Sequence, residues 1–279
     1  MDLRKAYDTI PVTKLWNAMR AAGINEIYVK AVKNFYDRNV GAIKIGNKIS
    51  EEFRVTKGLR QGCAMVPTLF KIYINEALKK WKKHCENMGI PINDKFLYTL
   101  LFADDQVVVA MDEQDSNYMV RKLHEQYKNW GLEINYEKTE QLTIGRDGDD
   151  MVIGPNIIRD CVRFKYLGVM ITKEGNSNED IDNKITQGRK VIGKLNPVLW
   201  NDKLTMKTKK MIFSTILESI VTYGSEAWEI NTRNEKRLKA LEMDIWRRAC
   251  GVSRREHVRN EEIRRRVQRN KDIMDTINM

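Results

Sequence analysis

Two adjacent carboxylates, Asp104 and Asp105, stand between the apolar runs Leu100-Leu101-Phe102 and Val107-Val108-Val109. The pattern predicts a buried β-hairpin over 97–110 that lifts its acids out at the turn. Charged carboxylates in an apolar hairpin need a partner. A hard divalent cation held by oxygen is the partner that leaves coordination positions open for phosphate. The pair therefore reads as one half of a metal site. A second source of acid opens the chain, where Asp2 and Asp8 bracket Leu3-Arg4-Lys5-Ala6-Tyr7. Two aspartates at that spacing mean little alone and gain weight from the hairpin. Phosphoryl transfer on two metals needs carboxylates from separate strands to hold cations about 3.5–4 Å apart, one at the attacking and one at the leaving oxygen.

Periodicity supplies the elements that must position these acids. Residues 13–22 and 25–37 read as helices separated by Gly23, and Ala42-Ile43-Lys44-Ile45 with Phe53-Arg54-Val55 flank Gly46-Asn47 as a hairpin signal. A long helix follows Pro67 through Leu69, Phe70, Tyr73, Ile74, Leu78 and Trp81 and is expected to end near Gly89. Another spans about 114 to 130 and closes on Gly131. Short strands are expected around 140–144 and 162–171, and beyond Gly175 only helices, near 179–196, 205–221 and 233–250. Their stripes, such as Ile181, Ile185 and Ile192, or Leu238, Leu241 and Ile245, mean core.

Composition bounds the class of function. With 279 residues and 42% hydrophobic content, the chain can bury one large core or two smaller ones. A formal net charge of +11 favours a polyanionic partner. Lys203, Lys207, Lys209, Lys210, Lys236, Arg237, Arg247, Arg248, Arg254, Arg255, Arg264, Arg265, Arg266 and Arg269 make the helical part strongly basic, a surface for phosphates or a solvated face. Trp228 and Trp246 sit at apolar positions, where packing is the simpler reading. The four cysteines show no zinc-site spacing with the three histidines and are expected to be reduced thiols. No leader and no run of about 20 apolar residues is apparent. The expectation is an intracellular protein, nuclear or cytoplasmic, neither secreted nor bound to membrane.

Taken in order, Asp2 to Asp8, Gly58-Leu59-Arg60-Gln61-Gly62-Cys63, Phe102-Ala103-Asp104-Asp105, Gly131-Leu132-Glu133-Ile134-Asn135 with Lys138-Thr139, and Phe164-Lys165-Tyr166-Leu167-Gly168 resemble the successive palm motifs of reverse transcriptases. Arg-Gln-Gly-Cys followed by Pro67-Thr68-Leu69-Phe70 is similar to those of non-LTR, LINE-type retrotransposons. Tyr223-Gly224-Ser225-Glu226-Ala227-Trp228 looks like a segment found downstream in insect-type elements.

The resemblance implies an α+β fold. A polymerase palm over 1–172, a small antiparallel sheet packed on helices, would be followed over 173–279 by an all-helical thumb and a basic C-terminal extension. It implies Asp2, Asp104 and Asp105 as ligands of two Mg²⁺ ions, with Mn²⁺ able to substitute. Tyr7 takes the position whose ring crowds the sugar 2′ carbon and rejects ribonucleotides, although the same ring would serve as packing at a helix entry. Gln61 and Gly62 would meet the incoming nucleotide and Arg60 the template. Lys138 matches the lysine suspected of giving a proton to the leaving pyrophosphate, and is equally a surface lysine in a turn. Phe164, Tyr166, Leu167 and Gly168 would grip the primer end, or pack as an ordinary strand. The implied partners are an RNA template, a DNA primer and deoxynucleoside triphosphates.

Departures from that family carry expectations too. The chain begins one residue before Asp2, so the strand carrying this aspartate and the fingers upstream are expected to be missing, the acid hairpin to become an exposed edge, and the truncated chain to be weak or inactive. The loop reads Cys63-Ala64-Met65-Val66-Pro67 where a serine commonly precedes the proline. The function is thus read as a fragment of an RNA-directed DNA polymerase; the alternative is a catalytically dead nucleic-acid-binding or interaction remnant of such an element.

Overall fold

A computed structural model describes residues 1–269 and 271–278 and divides into two compact units, Met1–Gln141 with Gly148–Asp160, and Leu142–Asp147 with Cys161–Met279. Small sheets, antiparallel except where Glu140–Gln141 pairs parallel with Arg159–Asp160, are mixed with helices up to Thr172, and helices alone follow among the described residues.

In the first unit the helices are α1 (Ala6–Thr9), α2 (Val12–Ala21), α3 (Glu26–Asp37), α4 (Val66–His84) and α5 (Glu113–Trp130). The strands are β1 (Val40–Gly41), β2 (Lys44–Ile45), β3 (Lys48–Ile49), β4 (Phe53–Arg54), β5 (Ile90–Ile92), β6 (Lys95–Leu97), β7 (Thr99–Phe102), β8 (Asp105–Val108), β9 (Glu140–Gln141), β10 (Met151–Ile153) and β11 (Asn156–Asp160). Helix α4 is the spine, packed between α2 and α5. Phe70, Tyr73, Ile74, Leu78 and Trp81 recur at helical spacing and bury one face against Leu15, Met119, Leu123 and Tyr127. The indole N–H of Trp81 donates to the Met119 carbonyl at 2.8 Å, so the largest core side chain buries no unpaired donor. Asp112 accepts from Asp115 N–H at 2.8 Å at the start of α5, and Gly131 ends it at φ 77°.

Several expectations shift. Helix α4 stops at His84 rather than near Gly89: the chain has left the helix by Asn87, at φ 66°, and Gly89 instead serves a close approach in which a Cβ would lie 2.4 Å from the Leu97 carbonyl oxygen. Gly46-Asn47 does turn a hairpin, but it joins β2 to β3, while Phe53–Arg54 pairs back with Val40–Gly41. The β10–β11 hairpin, unassigned from sequence, buries Met151, Ile153 and Ile158 against Val120.

The second unit opens with β12 (Arg163–Tyr166) and β13 (Val169–Thr172) and is helical thereafter: α6 (Asn178–Lys194), α7 (Asn196–Leu199), α8 (Met206–Ile212), a π-helical segment over Phe213–Glu218, α9 (Ser219–Val221), α10 (Thr232–Ala249), α11 (Asn260–Val267) and α12 (Ile273–Ile277). Its core joins Ile181 and Ile185 of α6, Phe213 and Leu217, Leu238, Ile245 and Trp246 of α10, and Ile263 and Ile273. Trp246 packs 4.4 Å from Phe213, ring centre to ring centre, so the packing reading of this tryptophan holds. Part of the basic excess is architectural. Buried Lys209 donates to the Ala249 carbonyl at the end of α10, and Arg269 lies 4.3 Å over the Phe213 ring while bonding Glu218. Lys203, Lys207, Lys236, Arg255 and Arg264 remain exposed. No disulfide joins the four cysteines, and burial pushes the Cys85 thiol up to about 11. No helix among the described residues is long and apolar enough to cross a membrane.

Leu123→Ala should destabilise the first unit by about 2–5 kcal/mol, since a fully buried side chain leaves a cavity. Asp112→Ala should cost only about 1 kcal/mol, the worth of a lost cap. Urea unfolding of both variants checks the ranking.

Candidate active site

The acid hairpin β7–β8 pairs Thr99 with Val108, Leu100 with Val107, Leu101 with Gln106 and Phe102 with Asp105. It is buried on one face only. Gln106 is 2% exposed, whereas Leu100 and Phe102 point to solvent, so the expected buried hairpin is corrected to one buried on a single face. Ala103 takes φ 53° at the tip, the left-handed region that side chains rarely adopt, and lifts Asp104 and Asp105 away from the core. Asp104 is half-buried and Asp105 exposed.

Asp2 reaches this tip by backbone pairing. The Met1 amine donates to the Gln106 carbonyl at 2.7 Å, and Gln106 N–H donates to the Met1 carbonyl at 3.2 Å. Reciprocal exchange is the hydrogen-bonded pair of an antiparallel ladder, so the next pair toward the tip is Asp2 opposite Asp105. Side chains of such a pair share a face, with Cβ atoms about 4.5–5.5 Å apart. The amine responds to both acids: burial lowers its pKa, and Asp2, Asp105 and Glu140 oppose that shift. On its other side the segment bridges Leu3 to Ile134, with Arg4 N–H donating to the Glu133 carbonyl at 2.8 Å and Asn135 N–H to the Asp2 carbonyl at 2.9 Å. The hairpin tip is therefore not the bare edge expected from the sequence, since the first three residues themselves supply the strand.

Residues whose roles the sequence did not disclose hold this strand. The Asn135 amide donates to Asp2 Oδ2 at 2.9 Å, leaving the other carboxylate oxygen unengaged by that contact. Thr139 Oγ1 accepts from Asp2 N–H at 3.2 Å and donates to the Asn135 carbonyl at 2.8 Å. Gln106 donates to Thr99 Oγ1 at 3.0 Å and accepts from the Tyr127 hydroxyl, fixing the hairpin from beneath. A glutamine inside an apolar strand was the visible signal.

Lys138 is exposed in the turn bounded by Asn135 and Thr139. The Tyr7 ring stacks on Phe70 with centres 4.5 Å apart, and burial, reinforced by Asp104, raises its hydroxyl pKa. Gln61 donates to Asp8 Oδ1 at 2.9 Å, while Leu59 N–H donates to the Tyr7 carbonyl at 2.7 Å, which straps the Gly58–Gly62 loop onto α1. Gly58 is required at φ 87°, because a Cβ would meet the Asp8 carbonyl at 2.8 Å. Gly62, at φ 83°, faces open space, and the Arg60 guanidinium lies 5.7 Å from the Phe35 ring centre. An open cavity of about 270 Å³ beside this loop is lined by Asp8, Asn39, Lys57 and Arg60 among others. The first unit thus sets Asp2 opposite Asp105 and Tyr7 within electrostatic reach of Asp104, with Arg60, Gln61 and Gly62 on an adjoining loop. Phe164, Tyr166, Leu167 and Gly168 belong to the second unit, on β12–β13 and its turn.

Among the described residues no three of His, Cys, Asp and Glu are grouped closely enough to hold a metal ion. An open set of aspartates nevertheless fits a hard cation such as magnesium, which takes one or two carboxylates and completes its shell with water and substrate phosphate. The buried Asn135 Oδ1, which has no hydrogen-bond partner, lies on the side chain that holds Asp2, an orphaned acceptor beside the acids.

The profile of the family described as reverse transcriptase (RNA-dependent DNA polymerase) matches residues 1–171. The chain is 25% identical over 203 residues to the retrovirus-related Pol polyprotein from type-2 retrotransposable element R2DM of Drosophila melanogaster, which covers 66% of this chain and 19% of that one. It is 23% identical over 186 residues to the Pol polyprotein from type-1 retrotransposable element R2 of Popillia japonica, covering 63% and 30%. It is 23% identical over 273 residues to the probable RNA-directed DNA polymerase from transposon X-element of Drosophila melanogaster, covering 90% and 28%. The match spans less than a third of each of these relatives.

Thr139→Val, which keeps the volume, should cost about 1–3 kcal/mol by leaving the Asp2 N–H without its acceptor beneath a buried side chain. Chemical unfolding of the variant against the parent checks it.

Proposed function

The chain belongs to the reverse transcriptase (RNA-dependent DNA polymerase) family, and from that premise we propose that its first unit adds deoxynucleotides to a primer 3′-hydroxyl under the direction of an RNA template. The observation that carries this reading is the pairing of Met1 with Gln106, which sets Asp2 beside the hairpin acids. Asp2, Asp104 and Asp105 are the residues that would hold magnesium, or manganese in its place. Divalent cations bound there supply activation of the attacking hydroxyl and neutralisation of charge on the leaving pyrophosphate.

The remaining steps belong to the side chains. Asn135 and Thr139 fix the direction of Asp2, so that little reorganisation remains at the moment of reaction. Tyr7, kept rigid by Phe70, excludes a 2′-hydroxyl by overlap. Lys138 holds a proton for the departing pyrophosphate. Arg60, Gln61 and Gly62 face the template and the incoming base, with Gly62 leaving room for close approach of backbone. In the second unit the turn between β12 and β13 meets the primer end. The helices behind it act as a thumb whose exposed lysines and arginines track the phosphates.

The test is primer extension on an RNA template with the purified chain. Slow, magnesium-dependent product is expected, reduced at least about a hundredfold by Asp104→Asn. Tyr7→Ala should raise ribonucleotide incorporation about tenfold or more. Salt-sensitive duplex binding without extension in either metal would overturn the catalytic reading and leave a nucleic-acid-binding remnant.

A further inference from the structure

The turn that joins β12 to β13 is gripped from two directions by side chains that the functional reading leaves unused. Leu167 and Gly168 both take positive φ, 47° and 85°, closing the strands at the Tyr166–Val169 pair. Both of their carbonyls are engaged. The Tyr223 hydroxyl donates to the Leu167 carbonyl at 2.8 Å, and Lys184 Nζ donates to the Gly168 carbonyl at 3.0 Å. Lys184 is 4% exposed and its ammonium lies 4.8 Å over the Tyr223 ring, so the two donors also brace each other.

One turn of α6 earlier, Asp180 is 2% exposed. It accepts from Met170 N–H at 2.9 Å and from the Trp228 indole at 2.8 Å, tying β13 to the segment Tyr223–Trp228. The glycines permit the approach. A Cβ on Gly224 would come 2.5 Å from the Val169 side chain, and one on Gly168 3.1 Å from the Tyr223 ring. Burying a lysine and an aspartate to hold a short hairpin is expensive where apolar packing would serve. What such a network adds over packing is a fixed backbone shape at the tip.

We propose that Asp180, Lys184, Tyr223 and Trp228 are positioning residues that lock the Leu167–Gly168 turn in the shape it presents to the primer end, and that this is the role of the Tyr223–Trp228 motif. The inference rests on the reading that this turn meets the primer. A conformation with two residues at positive φ persists because its surroundings over-determine it. Without the clamp the tip samples other turns and offers the primer no single surface.

The test uses the full chain with Tyr223→Phe, Lys184→Met and Lys184→Arg. Amide hydrogen exchange is followed over residues 163–172, and affinity is measured for an RNA–DNA hybrid with a recessed primer end and for a blunt hybrid of equal length. Tyr223→Phe and Lys184→Met should speed exchange at Gly168 to Met170. Each should weaken recessed-end binding about fivefold, the worth of one hydrogen bond, with blunt-end binding unchanged. Lys184→Arg, which keeps the donor, should restore both. Unchanged exchange, or faster exchange with undiminished recessed-end affinity, overturns the proposal. Should the parent itself show no preference for the recessed end, the primer reading of the turn fails and the proposal with it; a parent that prefers that end beside variants that retain the preference removes the clamp alone. If Lys184→Met does not fold by circular dichroism, Tyr223→Phe, which removes one oxygen from an exposed ring, decides the matter.

Discussion

The arrangement of the first unit depends on one short strand, Met1 to Leu3, held by backbone bonds on both edges. On one edge it binds the acid hairpin at Gln106, and on the other the turn that follows α5. Neither neighbour touches the other through those bonds, so the strand is what brings carboxylates from distant parts of the chain to one face. Polar groups anchor it beside the burial of Leu3 in the core. The Thr139 hydroxyl takes the Asp2 N–H, and the Met1 amine is drawn into a half-buried pocket where nearby acids offset part of the desolvation. Register is the sensitive quantity here. A slip of one residue would send Asp2 to the opposite face from Asp105.

That register explains how much could be read beforehand. The acids at the hairpin tip were legible because a two-residue interruption between apolar runs has few other meanings. The one-sidedness of the hairpin was not, since a continuous apolar run describes a strand buried on both faces as well as one with Leu100 and Phe102 in solvent. Helix α5 was legible at its C-terminal end because Gly131 is a cap residue with a mechanism, whereas the Asp112 cap emerged only with the structure. Helix α4 was overextended because Gly89 resembles a cap while doing something nonlocal, admitting the Leu97 carbonyl. The proximity of Asp2 to Asp105 had no local signature at all. Only the order of several motifs in one chain suggested it, and Asn135 and Thr139 became visible as supports once their hydrogen bonds were known.

The second unit shows a different economy of charge. Composition alone suggests that its lysines and arginines form one solvated basic face. In the fold they divide: Lys184 and Lys209 are buried against carbonyls, Arg269 lies across Phe213, Arg248 bonds Asp244 and Asn196, and others stay in water. Buried ammonium groups act here as donors to backbone that helix ends and turns leave unsatisfied. The π-helical segment lies within the same core, where Phe213 and Leu217 are both fully buried.

The tiny β2–β3 hairpin has a bearing on how the protein behaves in bulk. Ile43, Ile45 and Ile49 are largely bare, and strands this short satisfy few of their neighbours' backbone groups. Such edges recruit copies of themselves. Lys44 and Lys48 sit among the isoleucines as gatekeepers, and a molecule carrying +11 repels its own kind. Colloidal dispersal and phosphate attraction thus draw on the same positive charge. Screening it with concentrated salt removes both at once, so precipitation from strong electrolyte and release from polyanions are linked properties of this surface.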